Sequence, residues 1–372
     1  MPVLAKQILL FLMPLLMIWA QDTNHQATAY QAIAVRSGPG HTFQQIDLLN
    51  PGVIVNIVER NRVGNWVRVT RMTGSGQVAL DGWVVTGYLD YDVNLRLSEI
   101  PVNNTLPDAD PTNAQYESTA RLYAVPVIPE VSRKMEGVYR YGQALGNHAD
   151  VVTKVGDSVS ANPLYLRPMS RGDHDLGPYD FLDETIRYFG PSLRNNSVAS
   201  RIGMTTYVIF DPLWADKEQC NAGEPPLDCE YRLKQPAIAM IMFGPNDVRH
   251  MTDADFDHQI RQIVDQTLTR GIIPVLSTFS VSPDDELWWQ SINFNLRLTE
   301  IAAEYEVPLI NLWAAARILP DYGLDQDGVH MLNSGFKNLK FSTKHEVWYG
   351  TSLQNLLSIR MLDELRHTLN MG

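Results

Sequence analysis

Ala237-Ile238-Ala239-Met240-Ile241-Met242-Phe243 is an unbroken apolar run of strand length that ends at a glycine, Gly244. A strand that is buried on both faces has such a run, whereas a strand with one face in water alternates apolar and polar residues. The run therefore predicts a central strand in a sheet that is covered on both sides.

Segments of strand and helix character alternate on both sides of this run. Strand candidates lie at residues 151–155, 272–276 and 307–310, and helical spacing of apolar residues lies at 256–268 and 296–305. Alternation of this kind is typical of a parallel sheet with helices on both faces. We therefore predict a three-layer α/β/α domain.

Polar residues follow three of the predicted strands, where the reactive groups of an open α/β sheet collect. These blocks are Gly156-Asp157-Ser158, Gly244-Pro245-Asn246-Asp247 and Asp327-Gly328-Val329-His330. Taken singly, each block also fits an ordinary structural role, because Ser, Asp and Asn cap helices and start turns. Their chemistry matters only if the fold brings them together.

Each block offers one part of an acyl-transfer site. Ser158 stands where a helix begins, so its own backbone N–H is free to stabilise an oxyanion. The amide of Asn246 can donate a neutral hydrogen bond to the same oxygen. Asp327, three residues before His330, can hold one imidazole nitrogen and leave the other to deprotonate a nucleophile.

In this order the three blocks resemble the SGNH (GDSL-type) hydrolase family over residues 150–370. The resemblance implies that Ser158 is the nucleophile, His330 the general base and Asp327 the carboxylate that orients it. It also implies ester hydrolysis through an acyl-enzyme, with no metal or organic cofactor.

The resemblance further implies an oxyanion hole with three donors. Two are the Ser158 amide and the Asn246 side chain. The third is a backbone amide from a further stretch of sequence, which is the second block of the family and is called the second block here. That block falls in Asn195-Asn196-Ser197-Val198-Ala199-Ser200-Arg201-Ile202-Gly203. Ser200 and Gly203 are both candidates, and the spacing favours Ser200.

Upstream, residues 28–92 carry short alternating runs separated by Gly, Pro and Asn turns, which predicts a small all-β barrel. The runs at 35–40, 66–69 and 82–89 resemble the bacterial Src-homology-3-like domain, and this resemblance implies binding to cell-wall material. A purely structural role is the alternative. Residues 93–118 are rich in Pro, Asn and Asp and predict a linker to the hydrolase domain at 119–372. We expect that domain to turn over small esters without the barrel.

Two features predict export. Residues 1–20 place Lys6 ahead of an apolar run that closes at Ala20, which is typical of a signal peptide, with an uncleaved membrane anchor as the alternative. Cys220 and Cys229 bracket a short loop, and in an oxidising compartment they are expected to form a disulfide. No His or Cys cluster accompanies them, so a zinc site is not expected.

The chain has 30 Lys and Arg against 42 Asp and Glu, a formal net charge of −12. Such a surface repels nucleic acid and anionic lipid, so we expect neither as a partner and no membrane contact beyond the leader. The sequence thus predicts a secreted serine esterase, with O-acetyl esters of carbohydrate or cell-wall material as substrate. The alternatives are a short-chain lipid or lysophospholipid esterase and a non-catalytic wall-binding protein. Leu287-Trp288-Trp289 either lines an acyl or sugar site or packs in the core.

Overall fold

The computed structural model describes residues 25–29, 32–40, 43–61, 66–91, 95, 100–106, 113–172, 174–333, 335 and 339–372. The predicted leader at 1–20 lies outside the described residues. The described part holds a seven-stranded antiparallel sheet followed by a four-stranded parallel sheet. We call residues 25–91 the β domain and residues 113–372 the α/β domain.

The β domain consists of antiparallel strands in the order β3-β2-β6-β5-β4-β1-β7. Their bounds are β1 (Gln26–Ala29), β2 (Ile33–Arg36), β3 (Gln45–Leu49), β4 (Ile54–Arg60), β5 (Trp66–Met72), β6 (Val78–Val85) and β7 (Leu89–Tyr91). Val55 and Ile57 of β4 are buried while Ile54 is exposed, the alternation expected of a sheet with one wet face. The all-β unit predicted from the sequence is confirmed.

The segment predicted as a linker carries structure of its own. Its described residues pair with the end of β4: the backbone N–H of Arg60 donates to the carbonyl of Pro101 at 2.9 Å, and the N–H of Asn103 donates to the carbonyl of Arg60 at 2.8 Å. Ile100 is buried. Helix α1 (Asn113–Ala124) also begins before residue 119. Pairing with β4 depends on residues far away in the sequence, which composition does not reveal.

The parallel sheet lies at the centre of the α/β domain. Its strands are β8 (His148–Gly156), β9 (Pro236–Met242), β10 (Ile273–Ser277) and β11 (Leu309–Ile310), in the order β11-β10-β9-β8. Every residue of β9 is buried, so the strand is covered on both faces. The predicted central strand and the predicted α/β architecture are therefore confirmed.

Helices connect and cover these strands. The remaining helices are α2 (Lys134–Leu145), α3 (Ser158–Ala161), α4 (Asp183–Leu193), α5 (Pro226–Lys234), α6 (Asp253–Thr269), α7 (Trp288–Tyr305), α8 (Leu312–Ala316) and α9 (Gly350–Thr368). Helix α6 shows why the sequence folds this way: the hydroxyl of Thr252 caps it by accepting from the N–H of Asp255, and its apolar face packs on the sheet. Gly271, with φ +66°, then turns the chain into β10.

The outer edge of β8 is occupied by backbone and side chains of the same chain. The N–H of Val152 donates to the hydroxyl of Ser192 at 3.1 Å. Further along, the N–H of Gly156 donates to the carbonyl of Ala199 at 3.0 Å, and the N–H of Arg201 donates to the carbonyl of Gly156 at 3.2 Å. The segment around Ser200 therefore extends the sheet by one parallel bridge beyond β8.

The structure also bears on the predicted disulfide and on membrane-spanning helices. Cys220 and Cys229 form the expected disulfide, with their Cα atoms 5.3 Å apart. Cys220, Glu224 and Cys229 lie close enough together to share an ion, but the disulfide already uses both sulfurs. Across the residues described above, no helix has the length and apolar character needed to cross a membrane.

Candidate active site

The first polar block forms a sharp turn between β8 and α3. A side chain at Gly156 would place its Cβ 2.3 Å from the carbonyl oxygen of Met242 in the neighbouring strand, so only glycine fits. Asp157 is fully buried and caps α3 by accepting from the N–H of Val159 at 2.9 Å. Ser158 is the first residue of that helix and is 9% exposed. Its hydroxyl therefore stands at the carboxyl end of the sheet.

The third block is a hairpin held by its own backbone. Leu324 pairs with Met331, and the N–H of Asp325 donates to the carbonyl of His330 at 2.8 Å. One carboxylate oxygen of Asp327 accepts from the N–H of Val329 at 3.0 Å and from the N–H of His330 at 2.9 Å. The carboxylate thus fixes the backbone that carries the imidazole.

Ser158, His330 and Asp327 form one chain of hydrogen bonds. The Ser158 hydroxyl lies 2.8 Å from Nε2 of His330, and Nδ1 of His330 lies 2.5 Å from Oδ2 of Asp327. Burial raises the pKa of Asp327, but the hydrogen bonds from the His330 ring and from two backbone N–H groups outweigh it and hold that pKa below its usual value. Asp327 is accordingly an anion at neutral pH, which favours a proton on Nδ1 and leaves Nε2 to accept from Ser158.

The block after β9 is tied to the residues that directly follow the second block. Asn246 is half-buried, and its side-chain amide donates to the carbonyl of Met204 at 3.5 Å. Asp247 is fully buried and accepts three hydrogen bonds, from the N–H and hydroxyl of Thr206, both at 2.7 Å, and from the N–H of Gly244 at 3.0 Å. Asp247 therefore joins the two loops that flank Ser158.

Ser200 and Gly203 are placed very differently. Ser200 is buried and bridges Gly156, two residues before the serine of the first block, and its hydroxyl donates to the carbonyl of Asp157 at 3.5 Å. Gly203 lies in an exposed turn with φ +73°. The structure thus brings Ser200, and not Gly203, beside the first block.

Buried carboxyl groups are the feature that the sequence interpretation missed. Burial raises the pKa of Asp157 to about 7, and the nearby Asp247 adds to the rise. The pKa of Asp247 is also raised by burial, against the hydrogen bonds it accepts from Thr206 and Gly244. Asp157 directly precedes Ser158, and Asp247 directly follows Asn246, so both lie beside residues that the sequence had indicated as candidates. Sequence alone does not distinguish an Asp that caps a helix from an Asp that is fully buried.

Two cavities adjoin the third block. A small one of about 20 Å³ is lined by Pro245, Phe279, Leu287 and Val329 among others. A larger one of about 250 Å³ lies between the two domains. It is lined by Val85, Tyr88, Ser282, Asp284, Asp321, Tyr322, Leu324, Asp325, Gln326 and Gly328. In the stretch Leu287-Trp288-Trp289, Trp288 is buried in the core, Trp289 packs partly against it, and Leu287 lines the small cavity.

Comparison with known proteins identifies the N-terminal part. Residues 32–90 match the family model of the bacterial SH3 domain, and no curated protein matches the chain. Among solved structures, the chain is similar to a lipase/acylhydrolase from Enterococcus faecalis, with 19% identity and a TM-score of 0.38 over 58% of this chain and 95% of that one. It is similar to a GDSL-like lipase from Bacteroides thetaiotaomicron, with 13% identity and a TM-score of 0.36 over 62% and 99%.

An acetylxylan esterase from Geobacillus stearothermophilus is similar at 16% identity and a TM-score of 0.37 over 59% of this chain and 94% of that one. Identities and TM-scores this low leave the chemistry of the α/β domain to be judged from its own residues. Residues 32–90 therefore match the bacterial SH3 domain, and they precede an α/β domain in which Ser158, His330 and Asp327 form one hydrogen-bonded chain.

Proposed function

We propose that the α/β domain is a serine ester hydrolase of the SGNH type. The observation that carries the proposal is the chain of hydrogen bonds from Ser158 through His330 to Asp327, at 2.8 and 2.5 Å. A hydroxyl, an imidazole and a carboxylate in this order constitute an activated nucleophile, its base and the group that orients the base.

The reaction proceeds in two steps. Ser158 attacks the ester carbonyl as Nε2 of His330 takes its proton, and the resulting imidazolium returns that proton to the leaving alcohol. The acyl group is then bound to Ser158. Water, deprotonated by His330, attacks this second ester, the acid leaves, and Ser158 recovers its proton.

Three donors serve the oxyanion in this proposal. The Ser158 amide lies in the first turn of α3, where a backbone N–H has no partner within the helix. Ser200 supplies a second amide, because its bridge to Gly156 is made by the carbonyl of Ala199 and the N–H of Arg201 and does not use the N–H of Ser200. The side chain of Asn246 supplies the third, since its bond to Met204 is long at 3.5 Å and uses only one of its two N–H groups. Gly203, in its exposed turn, has no part in it.

We propose O-acetyl esters of carbohydrate or cell-wall material as the substrates. The cavity beside Pro245 and Val329 has room for about one water-sized group, which suits a short acyl chain. The larger cavity offers Asp284, Asp325 and Tyr88, which can accept from sugar hydroxyls and pack on a sugar ring. The disulfide supports export, and the bacterial SH3 domain supports contact with the wall.

A short-chain lipid esterase is the second candidate, and a specific observation favours it. Ile202 and Leu213, in the segment between Ser200 and α5, are 83% and 81% exposed. Apolar side chains so exposed suit contact with an acyl chain or lipid surface.

Hydrolysis of a panel of esters tests the proposal. Purified protein would be given p-nitrophenyl acetate, p-nitrophenyl decanoate, acetylated xylan, acetylated peptidoglycan and lysophosphatidylcholine, with Ser158→Ala as the blank. We expect turnover of the acetates and release of acetate from at least one polymer. Preference for the decanoate and the lysolipid would favour the second candidate, and wild-type rates equal to the Ser158→Ala blank would leave a non-catalytic wall-binding protein.

A further inference from the structure

We infer that Phe279 sets the length of the acyl chain that the proposed hydrolase accepts, because it closes the small cavity beside Pro245 and Val329. The inference rests on the proposed function and deepens it, since it names the side chain that limits the acyl group. Phe279 determines specificity here and takes no part in proton transfer.

The cavity adjoins two loops that carry groups of the proposed reaction. On its wall, Pro245 directly precedes Asn246, and Val329 directly precedes His330. An acyl group bonded to Ser158 needs its carbonyl oxygen near Asn246 and its carbonyl carbon within reach of the water that His330 activates. The cavity is therefore placed to receive the chain that extends from that carbonyl.

Phe279 is a buried residue on the wall of this cavity. Its ring lies against the backbone at Gly244, where a Cβ would come within 2.1 Å of a ring carbon. The carbonyl of Gly244 accepts from the N–H of Val248, another residue of the wall, at 2.9 Å. The ring thus occupies the space beside the turn that carries Asn246, and a cavity of only about 20 Å³ remains.

The backbone of Phe279 is held by one buried side chain. Asn295 of α7 is fully buried, and its amide oxygen accepts from the N–H of Phe279 at 2.9 Å. Its amide nitrogen donates to the carbonyl of the same residue at 3.0 Å. Both backbone groups of Phe279 are satisfied in this way, so its position on the wall is fixed.

The two residues after Phe279 are held from another side. The fully buried Arg317 donates to the hydroxyl of Ser280 at 2.9 Å and to the carbonyl of Val281 at 2.7 Å. The hydroxyl of Ser280 in turn donates to the carbonyl of Tyr322 at 2.8 Å. Because every residue from Phe279 to Val281 is tied to a neighbouring segment, this wall resists moving outward.

A rigid wall makes the choice of acyl group steep. An acetyl group places one methyl in the cavity, and a space of about one water-sized group accommodates it. A longer chain must displace Phe279 or leave its methylenes in water, and forcing extra methylenes into a packed site is unfavourable. Replacing the ring by a smaller side chain opens space beside the buried Val248 and Val281, which a longer acyl chain can fill.

Phe279→Leu and Phe279→Ala test this with the p-nitrophenyl esters of acetate, butyrate and hexanoate. The measured quantity is the ratio of kcat/KM for hexanoate to kcat/KM for acetate, because a loss of folded protein lowers both and cancels in the ratio. We expect this ratio to rise about 10- to 100-fold in Phe279→Ala and by a smaller factor in Phe279→Leu.

Phe256→Leu is the matched control. Phe256 of α6 is buried and stacks on Phe294, and neither residue lines the cavity. This substitution removes aromatic packing from the core, so the ratio should stay at the wild-type value.

Leu287→Ala provides a second route to the same result. Leu287 is half-buried and lines the cavity from another side, so its truncation widens the space without altering the core around Phe279. The hexanoate-to-acetate ratio should rise in this variant too.

Three outcomes would count against the inference. Ratios in the Phe279 and Leu287 variants equal to that of Phe256→Leu, or a wild type that already prefers hexanoate, would overturn it and leave the hydrolase proposal intact. So would variants that change only the preference between methyl acetate and benzyl acetate, since the cavity would then receive the alcohol. Wild-type turnover equal to the Ser158→Ala blank on every ester would overturn the hydrolase proposal, and this inference with it.

Discussion

His330 and Asp327 meet at the protein surface, with side chains 42% and 51% exposed. Water screens electrostatic interactions in such a place, so attraction to the carboxylate charge contributes little. What the carboxylate supplies is direction: Oδ1 of Asp327 holds the backbone of its own loop and Oδ2 holds the ring. Its role in the proposed reaction is therefore to fix the tautomer and orientation of the imidazole.

Removing single site residues should separate these roles. Ser158→Ala and His330→Ala should each abolish nearly all ester turnover. Asn246→Ala, which deletes one of the proposed oxyanion donors, should lower kcat by about 10²–10³. Asp327→Asn should lower kcat by up to about 10⁴, because the amide keeps the loop capped but favours the wrong tautomer. Steady-state kinetics and labelling of Ser158 by a fluorophosphonate check these outcomes, and labelling at another serine would contradict the assignment.

Asp157 predicts a pH dependence of stability. Its pKa in the folded protein is about 7, above its value of about 3.9 in an unfolded chain. A raised pKa means that the folded state holds the proton more tightly, so its stabilising contribution is complete below pH about 4 and is lost as pH rises to about 7. Wild-type protein should lose stability across that window, by at most about 4 kcal/mol for a shift of about three units.

Asp157→Asn should flatten this dependence, since its side-chain oxygen still caps Val159 and it carries no ionisable group. Urea denaturation from pH 4.5 to 8.5 measures the effect. Equal slopes in wild type and variant would show that Asp157 is not the titrating group.

At the scale of elements, the turn after β9 is fixed by a steric limit. Gly244 has φ +130°, and a Cβ there would lie 2.1 Å from the ring of Phe279. Gly244→Ala should therefore destabilise the protein by about 1–3 kcal/mol and displace Asn246, lowering kcat as well. Gly137→Ala in α2 is the control, because its site is open and alanine there should stabilise by about 0.5–1 kcal/mol. Thermal unfolding and p-nitrophenyl acetate turnover of both variants test the contrast.

The disulfide should make a modest contribution. Cys220 and Cys229 are nine residues apart, and closing so short a loop stabilises the folded state by about 2–3 kcal/mol. Paired Arg232 and Glu224 hold the same loop independently. Reduction should lower the melting temperature without unfolding the protein at 25 °C, and thiol titration of unfolded, unreduced protein should find no free cysteine.

Elements with a local signature were predictable. The buried run of β9 and the helical spacing of α6 are visible in the sequence because each element satisfies its own periodicity. The pairing of residues 100–103 with β4 and the packing of the turn Thr86–Tyr88 on the turn Pro320–Gly323 were not, since each joins segments whose proximity only the complete fold creates. The three polar blocks could also be recognised, because each is a short contiguous stretch of sequence. The hydrogen bonds by which Asp247 joins Thr206 to Gly244 could not.

At the scale of the whole molecule, buried side chains of the two domains pack against each other. The guanidinium of Arg60 in β4 lies 4.3 Å from the centre of the Tyr123 ring in α1, and that ring lies 4.8 Å from Trp313 in α8. Burial lowers the pKa of Arg60, and the neighbouring Tyr123 acts against this fall. The cation is thus held within a shared interface rather than on a solvated surface.

Deleting residues 1–91 should consequently damage the α/β domain. Tyr123 and Tyr322 would become exposed to water. We therefore expect a lower melting temperature and a kcat for p-nitrophenyl acetate at least about tenfold below that of the full chain. Adding the separate β domain in trans is the control for its presence alone. A truncated protein with full kcat and an unchanged melting temperature would show that the two domains act independently.

The outer edge of β8 has a consequence for association between molecules. An unpaired strand edge is a template on which another chain can add a strand and begin to aggregate. Here the hydroxyl of Ser192 takes the N–H of Val152, and the backbone around Ser200 takes both hydrogen-bonding groups of Gly156. The bridge that places Ser200 near Ser158 also seals that end of the strand, so we expect a substitution that loosens it to lower solubility together with the proposed activity.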